Sequence, residues 1–170
     1  IATPHLGAST DEAQVSVAIE IAKQVTDVLL ERGIRNAVNY PSVDGEVLKV
    51  IRPYLRLAEN IGALQAQLAD GRISYVKVRY SGEATNYDTS PISVALVKGL
   101  LTPVLGEAVN YVNAQVLAKG RGIKIIESRT TEVEEFANLI ATEVKTDKLR
   151  SIVEGTLFSK DNPRIVKIDE

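Results

Sequence analysis

Hydrophobic positions between residues 13 and 29 recur at steps of three or four, the spacing of an α-helix with one apolar face. They are Ala13, Val17, Ile21, Val25, Val28 and Leu29. Ser9 and Glu12 have the spacing of a capping box, in which Ser9 accepts from the Glu12 amide and the Glu12 side chain reaches back. The pattern predicts a long amphipathic helix that begins after Ser9 and ends at Gly33.

Residues 34–43, IRNAVNYPSV, have no sustained period and contain a Tyr-Pro pair, as linkers do. We therefore predict a domain boundary here, with residues 1–41 in one domain and 42–170 in the other. The apolar stripe of the first helix is long, so we expect the isolated chain to bury it by folding back or by dimerising.

Two further helices flank a strand in the next part of the chain. The second helix is predicted to start at Pro53 and stop at Asp70-Gly71, with EVLKVI before it as a separate helical turn. Its apolar stripe is Tyr54, Leu57, Ile61, Leu64 and Leu68. Residues 72–82 alternate apolar and charged positions, which predicts a strand with one face in water. Ser90 as N-cap and Pro91 at the first helical position predict a third helix through about Leu101.

The remaining pattern is a fourth helix followed by strands. The helix is predicted over residues 108–119, and the strands over 123–129, 136–144, 149–158 and 164–169. KTDK is a tight connection between two of these strands, which indicates an antiparallel meander. The predicted fold class is α+β: a long N-terminal amphipathic helix, then an antiparallel sheet of about four to five strands with helices packed on one face.

Composition excludes several classes of function. A net charge of −2 gives no field that attracts a polyanion, so nucleic acid is not an expected partner. With no cysteine and one histidine, no metal site is expected. No apolar run is long enough to span a membrane and no signal peptide is recognisable, so we expect a cytoplasmic protein without a membrane partner. The chain contains no methionine, from which we expect a fragment or a processed product.

Two groups of motifs resemble one enzyme family. TPHLGASTDEAQ, followed by the long helix and then NAVNYP, resembles the end of the catalytic region in D-3-phosphoglycerate dehydrogenases, which are D-2-hydroxyacid dehydrogenases. VNYVNAQVLAKGRGI and GTLFSKDNPRIVKID are similar to the intervening regulatory domain in the long form of that family. The resemblance covers most of the chain, and its N-terminal motif is the more specific one.

The resemblance implies a parent that oxidises 3-phospho-D-glycerate to 3-phosphohydroxypyruvate with NAD in L-serine biosynthesis. It assigns His5 as the general acid/base, a role that imidazole suits because its pKa is about 6.5. It also assigns His5, Leu6, Gly7 and Ala8 as cofactor contacts. The family's G-x-G-x-x-G fingerprint, substrate-binding Arg and His-orienting Glu have no matching motif in this chain. We therefore expect NAD to bind the parent but not this chain, and the isolated chain to be inactive.

For residues 42–170 the resemblance implies regulation and subunit assembly, with binding of a small anionic metabolite. Arg164 is the first candidate ligand, because similar intervening domains carry a basic residue there and a guanidinium matches a phosphate. The other candidates are Arg129, Lys124 and Arg121, with Asn113 and Ser128 as neutral donors. Taken alone, each of these residues is better explained as a solvated strand-end charge, and only convergence of several on one cleft would favour a ligand site. The alternative is a purely structural oligomerisation module without a ligand; either way, we expect a homo-oligomer.

Overall fold

The computed structural model describes residues 2, 4, 6–30, 32–40, 43–132 and 135–169. The chain divides into two compact units, Ile1–Lys49 and Val50–Glu170. The domain limits predicted at residues 41 and 42 stay a prediction.

The first unit contains one long helix, α1, Asp11–Leu29. The predicted helix is confirmed, but its cap is not Ser9: Thr10 has an extended backbone and its Oγ1 accepts from the amide of Ala13 at 3.2 Å. The helix also stops before Gly33, because Gly33 starts the two-residue strand β1, Gly33–Ile34, which pairs antiparallel with β2, Val43–Asp44. The predicted linker therefore begins and ends in a small two-stranded ladder.

The apolar stripe of α1 is exposed to solvent. No residue of this helix is buried, and Ile21 and Val25 are each 52% exposed. Burial of this stripe by folding back or by dimerisation stays a prediction.

The second unit is a five-stranded mixed sheet with helices, so the predicted α+β class is confirmed. The helices are α2 Gly45–Leu68, which begins in the first unit, α3 Ser90–Leu105 and α4 Ala114–Gly120. The strands are β3 Ile73–Gly82, β4 Lys124–Thr130, β5 Asn138–Thr146, β6 Arg150–Phe158 and β7 Asn162–Asp169, in the order β4-β3-β5-β6-β7. A 3-10 turn, Glu83–Asn86, follows β3.

Three helix boundaries differ from the prediction. The start predicted at Pro53 is wrong: α2 begins at Gly45 and continues through the proline, because Ile51, two residues before it, is buried and extends the apolar stripe. Ser90 is not the N-cap of α3 but its first residue, with its amide bonded to the carboxylate of Asp88 at 3.0 Å, and α3 runs on to Leu105. The fourth helix begins at Ala114, since the preceding residues form a side-chain-bonded turn.

The predicted antiparallel meander holds for β5, β6 and β7 only. β4 lies parallel to β3 at the edge of the sheet, with Val78 opposite Glu127. The chain reaches β4 through α3 and α4, and a crossover of this length is what a parallel neighbour needs. β5 then returns antiparallel on the other side of β3.

Two glycines let α2 and α3 cross with their backbones in contact. A Cβ at Gly62 would lie 2.1 Å from the carbonyl oxygen of Leu96, and a Cβ at Gly99 would lie 2.1 Å from that of Glu59. No real side chain tolerates such a separation. On each helix, the missing side chain of the glycine leaves room for the backbone of the other helix.

Both helices pack on the same face of the sheet. On α3, the hydroxyl of Ser93 lies 2.6 Å from that of Tyr80 on β3, and both residues are buried. On α2, the amide nitrogen of Gln65 donates to the hydroxyl of Thr142 on β5 at 2.9 Å, and its amide oxygen accepts from the hydroxyl of Ser151 on β6 at 2.6 Å. These buried polar groups fix where each helix lies above the strands.

α3 is the most apolar element of the unit. The stretch Ser90–Ala108 is, by length and composition alone, apolar enough to cross a membrane. Ten residues of α3 are buried, and they include Ser93, which contacts Tyr80, and Gly99, which contacts α2. Its apolar composition is therefore explained by burial, since among the described residues α3 is the core helix of the unit.

The opposite face of the sheet carries a charged cluster around Glu143. One carboxylate oxygen accepts from Arg150 Nη2 at 2.8 Å, and the other accepts from the Tyr75 hydroxyl at 2.6 Å and lies 3.4 Å from Lys77 Nζ. The Glu143 side chain is 17% exposed. Chiefly through the bond from Arg150, these partners lower the pKa of Glu143 from 4.5 to about 2.

We predict that Gly62→Ala and Gly99→Ala each lower the free energy of unfolding by about 1–3 kcal/mol, because the added methyl group forces the two backbones apart. Urea unfolding followed by circular dichroism measures the change. Gly120→Ala is the matched control: a Cβ there has no neighbour within 4 Å, so this variant should be neutral or more stable by up to about 1 kcal/mol. A wild-type midpoint for Gly62→Ala or Gly99→Ala would contradict the close crossing.

The depressed pKa of Glu143 predicts a loss of stability in acid. Because the folded pKa is about 2 and the ordinary value is 4.5, the stabilisation is complete above pH 4.5 and disappears as the pH falls towards 2. Glu143→Gln should cost about 1–2 kcal/mol at pH 7, since its partners are partly exposed.

Urea midpoints measured from pH 7 down to pH 2 test this dependence. The difference between wild type and Glu143→Gln should shrink as the pH falls, whereas Glu127→Gln, an exposed carboxylate on β4, should follow wild type throughout. A difference that stays constant with pH would show that packing, not charge, accounts for the effect.

Candidate functional site

The proposed catalytic segment lies before α1. His5 falls outside the described residues. Leu6 is 61% exposed, and Gly7 and Ala8 form a turn in which Ala8 has a φ of +54°, a left-handed conformation that costs an alanine about 1–2 kcal/mol. Leu6 thus precedes the turn of Gly7 and Ala8, which lies just before the helix cap Thr10. The assignment of these three residues as cofactor contacts stays a prediction.

The described residues do not fit a dinucleotide. A Rossmann cradle needs a glycine-rich turn that leads from a strand into a helix, so that the helix amides face the pyrophosphate. Gly120 and Gly122 stand in the reverse context: Gly120 ends α4, and Gly122, with φ +75°, precedes β4. NAD therefore has no cradle in the part of the chain described, and the structure supports no chemical step through it.

Three of the six candidate anion ligands lie on the open face of the sheet. Lys124 and Ser128 belong to β4, at one edge of the sheet. Arg164 belongs to β7, at the other edge, and is paired with Thr156 of β6. Four strand spacings separate the two edges, about 19 Å. Ser128 borders a shallow depression of about 250 Å³ together with Arg79 and Glu154, whereas Arg164 Nη1 donates to the carbonyl of Pro163 at 2.9 Å.

The other three candidates lie elsewhere. Arg129 faces the helix side and is 3.7 Å from the carboxylate of Asp88. Asn113 is engaged in its own turn, where its side chain accepts from the Asn110 amide at 2.8 Å and donates to the carbonyl of residue 108 at 2.8 Å. Arg121 follows α4. The structure thus does not bring the six residues together in one cleft, and their role as anion ligands stays a prediction.

The sequence analysis did not predict two groups of side chains that the fold brings together. Glu59 on α2 binds Lys98 on α3 and accepts from the Tyr111 hydroxyl at 2.7 Å, with the ammonium 4.9 Å from the Tyr111 ring centre. This cluster ties the turn before α4 to the two crossing helices. No local pattern reveals it, because its members are far apart in the chain.

The second arrangement is a cavity of about 400 Å³ bordered by Arg121 and Arg72. Arg72 immediately precedes β3, where a basic residue is unremarkable in sequence. Only the fold brings it next to Arg121, 49 residues later in the chain. Sequence reasoning selected one of the two cations and missed the other.

Comparison with known proteins agrees with the motifs. Residues 50–169, nearly the whole second unit, match the family model described as the D-3-phosphoglycerate dehydrogenase intervening domain. The chain is 44% identical over 171 residues to the D-3-phosphoglycerate dehydrogenase of Synechocystis sp., an alignment that covers 100% of the chain and 31% of the relative.

Two further relatives carry the same name. The chain is 38% identical to that of Methanocaldococcus jannaschii and 35% identical to that of Bacillus subtilis, in alignments that each cover 99% of the chain and 32% of the relative. The chain thus spans about a third of the length of these relatives, which are named as oxidoreductases. Because the family model accounts for most of its residues, the chain belongs to the D-3-phosphoglycerate dehydrogenase intervening-domain family.

Proposed function

We propose that this chain is part of an NAD-dependent D-3-phosphoglycerate dehydrogenase that oxidises 3-phospho-D-glycerate to 3-phosphohydroxypyruvate in L-serine biosynthesis. One observation carries the proposal: TPHLGAST precedes α1 in the same chain whose residues 50–169 match the intervening domain. In the parent, His5 accepts the proton of the substrate hydroxyl, as a group with a pKa of about 6.5 can do near neutral pH. A cytoplasmic location goes with this proposal.

The second unit, in this proposal, is a regulatory domain that senses a small phosphorylated anion. Arg164 supports it, because its side chain is exposed on an edge strand and its guanidinium can form two hydrogen bonds to a phosphate. Thr156, directly opposite Arg164 on β6, is buried and its hydroxyl donates to the carbonyl of Asn138, so the phosphate contact in this proposal comes from Arg164 itself. The binding site would then lie at the β7 edge, away from Lys124 and Ser128.

A second candidate function is an assembly module without a ligand. Two observations favour it: the exposed stripe of α1, and the wide separation of the six candidate anion ligands. An exposed apolar stripe of this length is typical of a surface that another protein surface covers. A homo-oligomer is expected under both candidates.

The isolated chain should show no dehydrogenase activity, because no dinucleotide cradle is present among its described residues. NADH formation from 3-phosphoglycerate, followed by absorbance, should stay at the background rate. His5→Ala is the matched control and should give the same trace as wild type. Turnover that is above background and lost in His5→Ala would overturn this expectation.

Calorimetry separates the regulatory function from the assembly module. The chain should release or absorb heat on titration with phosphate and with 3-phosphohydroxypyruvate, and Arg164→Ala should weaken binding about tenfold or more, since a charge-assisted hydrogen bond is lost. Arg56→Ala, an exposed cation on α2, should bind as wild type does. No heat with either compound or with serine would favour the assembly module.

A further inference from the structure

The cavity between Arg72 and Arg121 has an apolar floor. It lies where the end of α2, the start of β3, the second half of α3 and the turn after α4 meet, and it measures about 400 Å³. Leu100, Leu101 and Ile123 line it and are 2%, 4% and 8% exposed. Val104, 76% exposed, stands at its border. Pockets for small ligands have this size and this predominantly apolar lining.

Two guanidinium groups border this floor without acidic partners. Among the described residues, no carboxylate forms an ion pair with Arg72 or Arg121. The nearby acids are engaged: Asp147 accepts from the backbone amide of Arg72 at 2.8 Å, and Asp70 binds Lys148 at 2.9 Å. The single contact of the Arg121 guanidinium, to the carbonyl of residue 117, is long at 3.5 Å.

The two cations share one rim of the cavity. Arg72 Nη2 lies 3.6 Å from the point that a Cβ would occupy at Gly122, the residue next to Arg121. Arg121 borders the same cavity. Two positive charges at one partly enclosed site repel each other unless an anion lies between them. An anion bound there would be held by groups for which no described carboxylate competes.

The combination of floor and rim selects one class of ligand. A bare phosphate would leave the leucine floor in contact with water, and an uncharged apolar molecule would leave both guanidinium groups unused. We propose that this cavity binds a small monocarboxylic acid with an apolar body, its carboxylate between Arg72 and Arg121 and its hydrocarbon on Leu100, Leu101 and Ile123. This site is separate from the proposed Arg164 site and goes beyond the proposed function.

Hexanoate is a suitable probe, titrated into the 170-residue chain and followed by the backbone amide resonances. We expect saturable shifts at Gly71, Ile73 and Gly122, which line or adjoin the cavity. Arg72→Gln and Arg121→Gln should each weaken binding about tenfold, because each removes a charge-assisted hydrogen bond. Both side chains belong to exposed residues, so neither variant disturbs the core.

Three controls make the outcome decisive. Arg56→Gln removes an exposed cation elsewhere in the unit and should leave hexanoate binding unchanged. Hexanol supplies the apolar body without the charge, and phosphate the charge without the body; neither should give saturable shifts at the cavity. Val104→Asp places a negative charge at the border and should abolish binding.

The proposal would be overturned by hexanoate binding that both arginine variants retain, by shifts confined to other parts of the chain, or by an absence of saturable binding. Phosphate binding as tightly as hexanoate would also overturn it, because the apolar floor would then contribute nothing. Phosphate is titrated in both experiments, but the two proposals have different readouts. Amide shifts at the cavity and the Arg72 and Arg121 variants test this one, whereas the heat lost in Arg164→Ala tests the other, so either proposal can fail alone.

Discussion

Gly62 and Gly99 bring the backbones of α2 and α3 into contact, and the rest of the second unit depends on that contact. With the helices this close, α3 can reach β3 through Ser93 while α2 reaches β5 and β6 through Gln65. A thicker helix pair would lift one helix off the sheet and expose buried hydroxyl and amide groups, which is costly. The long crossover from β3 to β4 runs through α3, one helix of this pair, so the parallel edge strand depends on the contact too.

The sequence predicted the elements of the fold better than their limits and pairing. Periodicity identified α1, α2 and the strands β3 to β7, because burial on one face imposes a period. It did not identify the two-residue strands β1 and β2 at the ends of the predicted linker. Periodicity failed at Pro53. A proline often occupies the first turn of a helix, but here the buried Ile51 keeps the turns before the proline in the same helix. It also failed for β4, since a strand's own residues do not state which neighbour it takes or in which direction. That choice is set by α3 and α4.

Site prediction had a different limit. TPHLGAST is a contiguous motif and could be recognised in one chain, although His5 itself lies outside the described residues. The candidate anion ligands depended on convergence, which only tertiary structure provides, and the fold separates Lys124 from Arg164 by the width of the sheet. The same fold places Arg121 and Arg72 at the border of one cavity, an arrangement with no local signal. Clusters of residues that are far apart in the chain cannot be predicted from one sequence, because only the tertiary structure brings them together.

The pairing of β6 with β7 shifts by one residue between Glu154 and Gly155, so that Val166 is an extra residue on β7. Arg164 and Lys167, three positions apart, therefore occupy the same face of the sheet, which strict alternation forbids. This imposes a rule on comparisons between relatives. Basic residues aligned with Arg164 and Lys167 share a face only where this pairing shift is retained or the extra residue is deleted. In a relative that keeps the residue but pairs without the shift, they would project from opposite sides of the sheet.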